Sequence, residues 1–254
     1  MPHTDNASGV IPIDLYRKSQ RKSQRHLSET PLKSNPHYSD RPLKHSQFLL
    51  NQTLPGVARQ SVVENVQIMS DNTPIEQFRK LARNRGDGIV PSRFEIVAWA
   101  AVISLKSFPA LCSRIVDAAQ IRQFKNPNLG LAIPSQDEGL IVAVVTNVFS
   151  LHFAEFVRNF RTSLCEAHKE GHLATYHSLT ISDLSSYGVT GAVPVIDYPA
   201  SAALCVGRPY LKDRGRNLFQ LSLSSDQRIV NRTNAAAFLK KVNDNLRKLA
   251  NSPS

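Results

Sequence analysis

Two short apolar runs, Leu129 to Ile133 and Leu140 to Thr146, constrain the fold more than any other feature of this chain. Each has the length of a strand, and the turn-rich Pro134-Ser-Gln-Asp-Glu-Gly139 separates them. Ile141-Val-Ala-Val-Val145 is apolar throughout and mostly β-branched, the pattern of a strand covered on both faces. Such a pair calls for a sheet and for helices to cover it. Phe94, Val97, Ala98, Ala101, Val102 and Leu105 fall at helical spacing and predict a helix from about Ser92 to Phe108, closed by Pro109. Phe153, Phe156, Val157, Phe160 and Leu164 predict another that stops near Gly171, with Cys165 in its apolar stripe. A last helix from about Thr233 to Leu249 carries Phe238, Leu239, Val242, Leu246 and Leu249.

An earlier helix is announced by Thr73-Pro-Ile-Glu76, read as a capping box with proline at the first helical position. It should end near Asn84 before Gly86, with Glu76 and Lys80 one turn apart. Further strands are expected at Val62 to Met69, Ser178 to Leu184, Ala202 to Val206 and Leu218 to Ser224. The last alternates cleanly, Phe219, Leu221 and Leu223 against Gln220, Ser222 and Ser224. Strands and helices mix without strict alternation, so the expected fold is a mixed α/β layer sandwich in one domain, residues 55–254.

Residues 1–54 differ. The first 50 hold five prolines, four histidines, the near-repeat RKSQRKSQR at Arg17 to Arg25, and eight Lys and Arg against four Asp and Glu. They read as a basic, Pro/Ser-rich arm lying on the surface or on a partner subunit. A targeting peptide fits less well, because Asp5, Asp14, Glu29 and Asp40 interrupt it.

The whole chain of 254 residues carries a net charge of +11, which points to a polyanionic partner without choosing one. No apolar run approaches the roughly 20 residues of a membrane span. Cys112, Cys165 and Cys205 have no paired spacing, against a disulfide scaffold or a zinc module. No metal-ligand cluster and no Gly-rich phosphate loop is evident. The polar start, Met1 to Ser8, is not a signal segment, and a soluble protein of a reducing compartment is expected.

Four stretches resemble a known family. Asn128 to Asn147 is similar to the paired strands NIGVAVATPDGLIVPVIRN of the dihydrolipoamide acyltransferases, the E2 components of 2-oxoacid dehydrogenase complexes. Leu179-Thr-Ile-Ser-Asp-Leu-Ser-Ser-Tyr-Gly188 resembles FTISNLGMFG, and Pro194 to Gly207 resembles P-I-I-N-P-P-Q-x-A-I-L-G-V-G. Leu221-Ser-Leu-Ser-Ser-Asp-Gln-Arg-Ile-Val-Asn-Arg232 stands where that family has LSLSxDHRxxDG. The resemblance covers about residues 55 to 250 and implies a chloramphenicol acetyltransferase-like fold.

It also implies a site. In the family a histidine of DHRxxDG is the general base, a strand serine binds the oxyanion, and neighbouring subunits of a trimer supply the two. By match Ser182 takes the oxyanion position, and Gln227 stands where the base should be. Asn231 replaces the aspartate and Arg232 the glycine. An amide has no accessible pKa and cannot accept a proton near neutral pH. His177 lies five residues before Ser182, about 16 Å along a strand, too far to substitute. His152, His168 and His172 belong to the third helix or its end, where they are solvated or capping. Cys165 and Cys205 read as core packing rather than nucleophiles. Asp226 and Arg228 keep the family's flanking residues in a structural role.

The expected function is a stand-alone, catalytically impaired E2-like domain that acts as a trimeric scaffold in a multienzyme assembly. The alternative is an acyltransferase moving an acyl group from coenzyme A or a carrier protein to a small molecule. No cofactor is required by the residues themselves, and coenzyme A enters only through the resemblance. Its phosphates account for the basic charge better than nucleic acid does, since no aromatic-basic interleaving supports the latter. The arm is too short and polar to be a lipoyl domain. A homotrimer or higher oligomer is expected, with dehydrogenase-complex or biosynthetic subunits as partners and no membrane. The expected compartment is the cytoplasm, or the mitochondrial matrix in a eukaryote.

Overall fold

The structure, a computed structural model, describes residues 34–35, 38–39, 62–86, 88–117, 120–134, 140–170, 176–197, 199–212 and 215–249. The basic arm therefore lies outside the described residues, except for the two-residue strands β1 (Ser34–Asn35) and β2 (Tyr38–Ser39), which pair antiparallel. The turn after Pro134, and Gly171 and His172, also lie outside them.

The main sheet contains β3 (Val63–Asp71), β6 (Leu129–Pro134), β7 (Leu140–Val145), β8 (Leu179–Asp183), β9 (Ala202–Val206), β10 (Tyr210–Lys212) and β11 (Arg216–Asp226). Its order is β10-β11-β9-β8-β6-β7, and β3 pairs with β11. β6 and β7 form the antiparallel pair that the two apolar runs predict, while β6, β8 and β9 run parallel. A separate hairpin, β4 (Ser113–Asp117) with β5 (Gln120–Gln123), has no counterpart in the sequence reading. Its exposed Gln120, Arg122 and Gln123 carry no apolar alternation to announce it.

Helices α1 (Thr73–Arg85), α2 (Arg93–Leu105), α3 (Phe153–Glu170) and α4 (Arg232–Leu249) complete the described regular elements, apart from three short 3-10 turns. α3 packs on β7, α4 on β3 and β11, and α2 against α4. Leu131, Ile181, Leu204 and Leu223 from the sheet meet Phe156, Phe160, Phe238 and Leu239 from the helices in one core. No helix among the described residues is long and apolar enough to cross a membrane.

Several local expectations are corrected. The first helix has no capping box: Asn72 is its N-cap and makes no side-chain cap bond. The Asn72 N–H donates to the Asn217 carbonyl at 2.8 Å, which pins the chain to β11 and starts the helix one residue early. Glu76 pairs with Arg79 at 3.3 Å rather than with Lys80. The complete capping box is at α2, where Ser92 and Glu95 bond each other's backbone N–H. Cys165 is exposed, because it follows Leu164 by one residue and so turns about 100° away from the buried stripe. β7 ends the sheet, so burial on both faces reaches Val142 and Ala143 but leaves Ile141 and Val144 half-covered.

Candidate active site

Register places the candidate serine. Across the sheet Ala132, Ser182, Cys205, Ser222 and Gln67 are consecutive partners on β6, β8, β9, β11 and β3. They share one face, because partners across a ladder point the same way. The next row is Gly130, Thr180, Ala203, Ser224 and Asn65. This face is small and polar, and it lies opposite the helix layer. Asn65 Nδ2 donates to the Ser222 and Ser224 hydroxyls at 3.0 and 3.2 Å.

Ser182 is half-buried near the end of β8. Burial pushes the Cys205 thiol up, while hydrogen bonds from the Ser182 side chain and the Ala192 backbone act against that rise. Cys205 is thus a buried neutral thiol, as expected of packing, and it is also the neighbour of Ser182. Next to the serine, Asp183 takes Arg93 Nη2 at 3.1 Å, while Arg93 Nη1 donates to the Gly207 carbonyl at 3.0 Å. The guanidinium also sits 5.2 Å from the Phe219 ring centre. One α2 side chain therefore ties together the ends of β8 and β9. The sequence hid this, since Arg93 and Asp183 are 90 residues apart.

The segment after Gly188 crosses this face. Arg208 N–H donates to the Val189 carbonyl at 2.7 Å, and a Cβ on Gly207 would lie 1.9 Å from the Thr190 carbonyl oxygen. Only glycine lets the two backbones approach so closely. Farther along, His177 is 2% exposed, stacked over Gly130, with Nε2 3.7 Å from Asp197 Oδ2. Burial pushes the Asp197 carboxyl up to about 6.

The base position lies elsewhere. Gln227 is exposed in the turn after β11, its N–H donating to the Val62 carbonyl at 2.8 Å. Asp226 holds Arg228 through a contact of 2.5 Å, the structural role expected of that pair. Asn231 caps α4, with Oδ1 accepting the Asn234 N–H at 2.8 Å. Arg232, 75% exposed, pairs with Glu64 on β3. Ser222 is level with Ser182, and Gln227 is five residues farther along β11. The two are separated by about 17 Å along the strands and roughly 10 Å across them. Within one chain they cannot serve the same reacting atom. His152 and His168 are exposed on or beside α3, and His168 Nδ1 contacts the Leu164 carbonyl at 2.8 Å. No group of three metal-ligating side chains is found among the described residues.

Comparison with known proteins agrees with this architecture. Residues 38–252 match the sequence model of the 2-oxoacid dehydrogenases acyltransferase (catalytic domain) family. The acetyltransferase component of the Mycoplasma capricolum pyruvate dehydrogenase complex is 30% identical over 194 residues, covering 70% of this chain and 44% of that protein. The Bacillus subtilis counterpart is also 30% identical, over 70% of this chain and 41% of its own length. The chain thus spans less than half the length of these relatives. The Azotobacter vinelandii dihydrolipoamide acetyltransferase superposes with a TM-score of 0.77 at 21% identity, over 88% of this chain and all of that one. It was solved to investigate a serine, a histidine and an asparagine in its catalytic mechanism, the last two four positions apart. Chloramphenicol acetyltransferase superposes at 0.51 with 13% identity, over 74% of this chain and 89% of that one. The fold is therefore the chloramphenicol acetyltransferase-like one, and the chain belongs to the 2-oxoacid dehydrogenase acyltransferase catalytic-domain family.

Proposed function

We propose that this chain is an acyltransferase-type core that has lost its proton acceptor and serves as a trimeric structural member of a 2-oxoacid dehydrogenase-type assembly. Gln227 carries the reading. It occupies the position of the family's base, faces solvent, and has only an amide to offer. Asn231 does not weaken the site in the same way. The Azotobacter enzyme also has an asparagine four residues after its histidine, the spacing of Gln227 and Asn231 here. Two departures remain, the missing base and Arg232. The separation of Ser182 from Gln227 supports an oligomer, because a site containing both must join two copies. Such an assembly belongs in the cytoplasm, or in the mitochondrial matrix of a eukaryote.

The test is acyl transfer between acetyl-CoA and dihydrolipoamide by the full chain. No turnover above background is expected, and Gln227→His should raise it by at least about 10²-fold. Turnover in the unaltered chain that disappears in Ser182→Ala would overturn the reading. A strictly monomeric mass in solution would also overturn it.

A second reading is favoured by one observation: Ser182 and Asn231 persist at their positions. It keeps the chemistry, with coenzyme A or a carrier protein as donor and a small acceptor acidic enough to react without a strong base. Turnover with such an acceptor, but not with dihydrolipoamide, would select it.

A further inference from the structure

We propose that Cys205 is a positioning residue of the candidate site: its sulfur accepts a hydrogen bond from the Ser182 hydroxyl and holds it back from the acyl oxygen it would otherwise bind. The inference rests on the reading of Ser182 as the oxyanion group, and it adds a second restraint beside the missing base. Three observations meet at this sulfur. Register makes Cys205 the direct partner of Ser182 across the parallel β8–β9 pair, so both side chains leave one face of the sheet about 5 Å apart. The Ser182 side chain and the Ala192 backbone both hydrogen-bond the thiol, and Cys205 is 1% exposed. In the motif P-I-I-N-P-P-Q-x-A-I-L-G-V-G that Pro194 to Gly207 resembles, the position of Cys205 is glycine.

A serine hydroxyl has one proton to donate. An oxyanion at Ser182 needs that same proton, so the bond to sulfur must break first. Glycine at position 205 would offer no such acceptor. Burial pushes the Cys205 thiol up and keeps it neutral, so the contact is a weak hydrogen bond rather than a thiolate pair. The Ala192 N–H donates to the same sulfur, which fastens the segment after Gly188 over the site. Beyond Ser182, the Asp183 carboxylate takes Arg93 Nη2 at 3.1 Å and the Ser185 N–H at 2.9 Å. The backbone at the end of β8 is thus pinned, and the hydroxyl is released by rotation of the Ser182 side chain. A hydrogen bond between neutral groups sets the size of the restraint, about fivefold.

Two measurements on the full chain test this. In the infrared, the S–H band that disappears in Cys205→Ala should shift in Ser182→Ala. An unmoved band overturns the proposal, whatever the chain's activity. The second measurement is acyl transfer between acetyl-CoA and dihydrolipoamide in the Gln227→His background. Adding Cys205→Ala should raise kcat about fivefold and leave KM unchanged, because the oxyanion forms in the transition state and not in bound substrate. Cys205→Ser, which keeps an acceptor at this place, should give no rise. With Ser182→Ala also present, Cys205→Ala should change nothing, since the two residues act through one bond. A rise that survives Ser182→Ala, or an equal rise in Cys205→Ser, overturns the positioning role and leaves Cys205 as packing. If Gln227→His stays inactive, the reading of Gln227 as the lost base fails, while a shifted band still upholds the bond between Cys205 and Ser182.

Discussion

The two faces of the main sheet are built from the same strands and obey different physics. One face presents Leu131, Ile181, Leu204 and Leu223 to the helices, and its stability is area removed from water. The other presents Gly130, Thr180, Ser182, Cys205, Ser222 and Ser224, which have little apolar area. It is covered by backbone, the segment after Gly188, and held by hydrogen bonds and close approach. The helix face tolerates no loss of volume. The candidate-site face tolerates no added volume.

The largest effect that can break this contrast is on the helix side. Leu223→Ala should cost about 2–5 kcal/mol in urea unfolding, since Leu223 is fully buried and its truncation leaves a cavity in the core. Gly207→Ala tests the other face in the opposite sense. Its added methyl meets a backbone oxygen, so a loss of about 3 kcal/mol is expected, although a side chain has been enlarged. A neutral Gly207→Ala would mean that the covering segment moves freely over the sheet.

Asp197 sharpens the comparison through pH. Its carboxyl titrates at about 6 when folded, above its unfolded value near 3.9. Protonation therefore stabilises the fold below about pH 4, and that contribution is lost as pH rises through about 6. Asp197→Asn should be more stable than the unaltered chain by up to about 3 kcal/mol at pH 7 and close to it near pH 4. Equal stability at pH 7 would show that His177, 3.7 Å away, supplies a compensating charge. Ser222→Ala should have the smallest effect, about 1 kcal/mol by thermal melting, although its hydroxyl both accepts from Asn65 Nδ2 and donates to Asn65 Oδ1, because the Asn65–Ser222 pair is only part-buried. Asn65 keeps the Ser224 hydroxyl as a partner at 3.2 Å.

Legibility in the sequence follows the same division. The β6–β7 pair, the alternation of β11 and the stripes of α2, α3 and α4 were readable, because side-chain period reports which face is buried. The β4–β5 hairpin was not, since its exposed residues show no such period. At the site, Ser182, Gln227 and Asn231 were identified by resemblance, and the serine's row of neighbours came from register alone. The assignment of Cys165 to the core failed by a single residue of helical phase.

By itself the sequence determined the two periodicities, the family, and the chemical fact that residue 227 is an amide. These are properties of adjacent residues or of motifs. Tertiary structure alone decided that Arg93 reaches Asp183 and Gly207, that Asn231 Oδ1 caps α4, and that Ser182 and Gln227 lie too far apart within one chain. Those facts depend on strand order and register, which join residues tens of positions apart and leave no mark on local pattern.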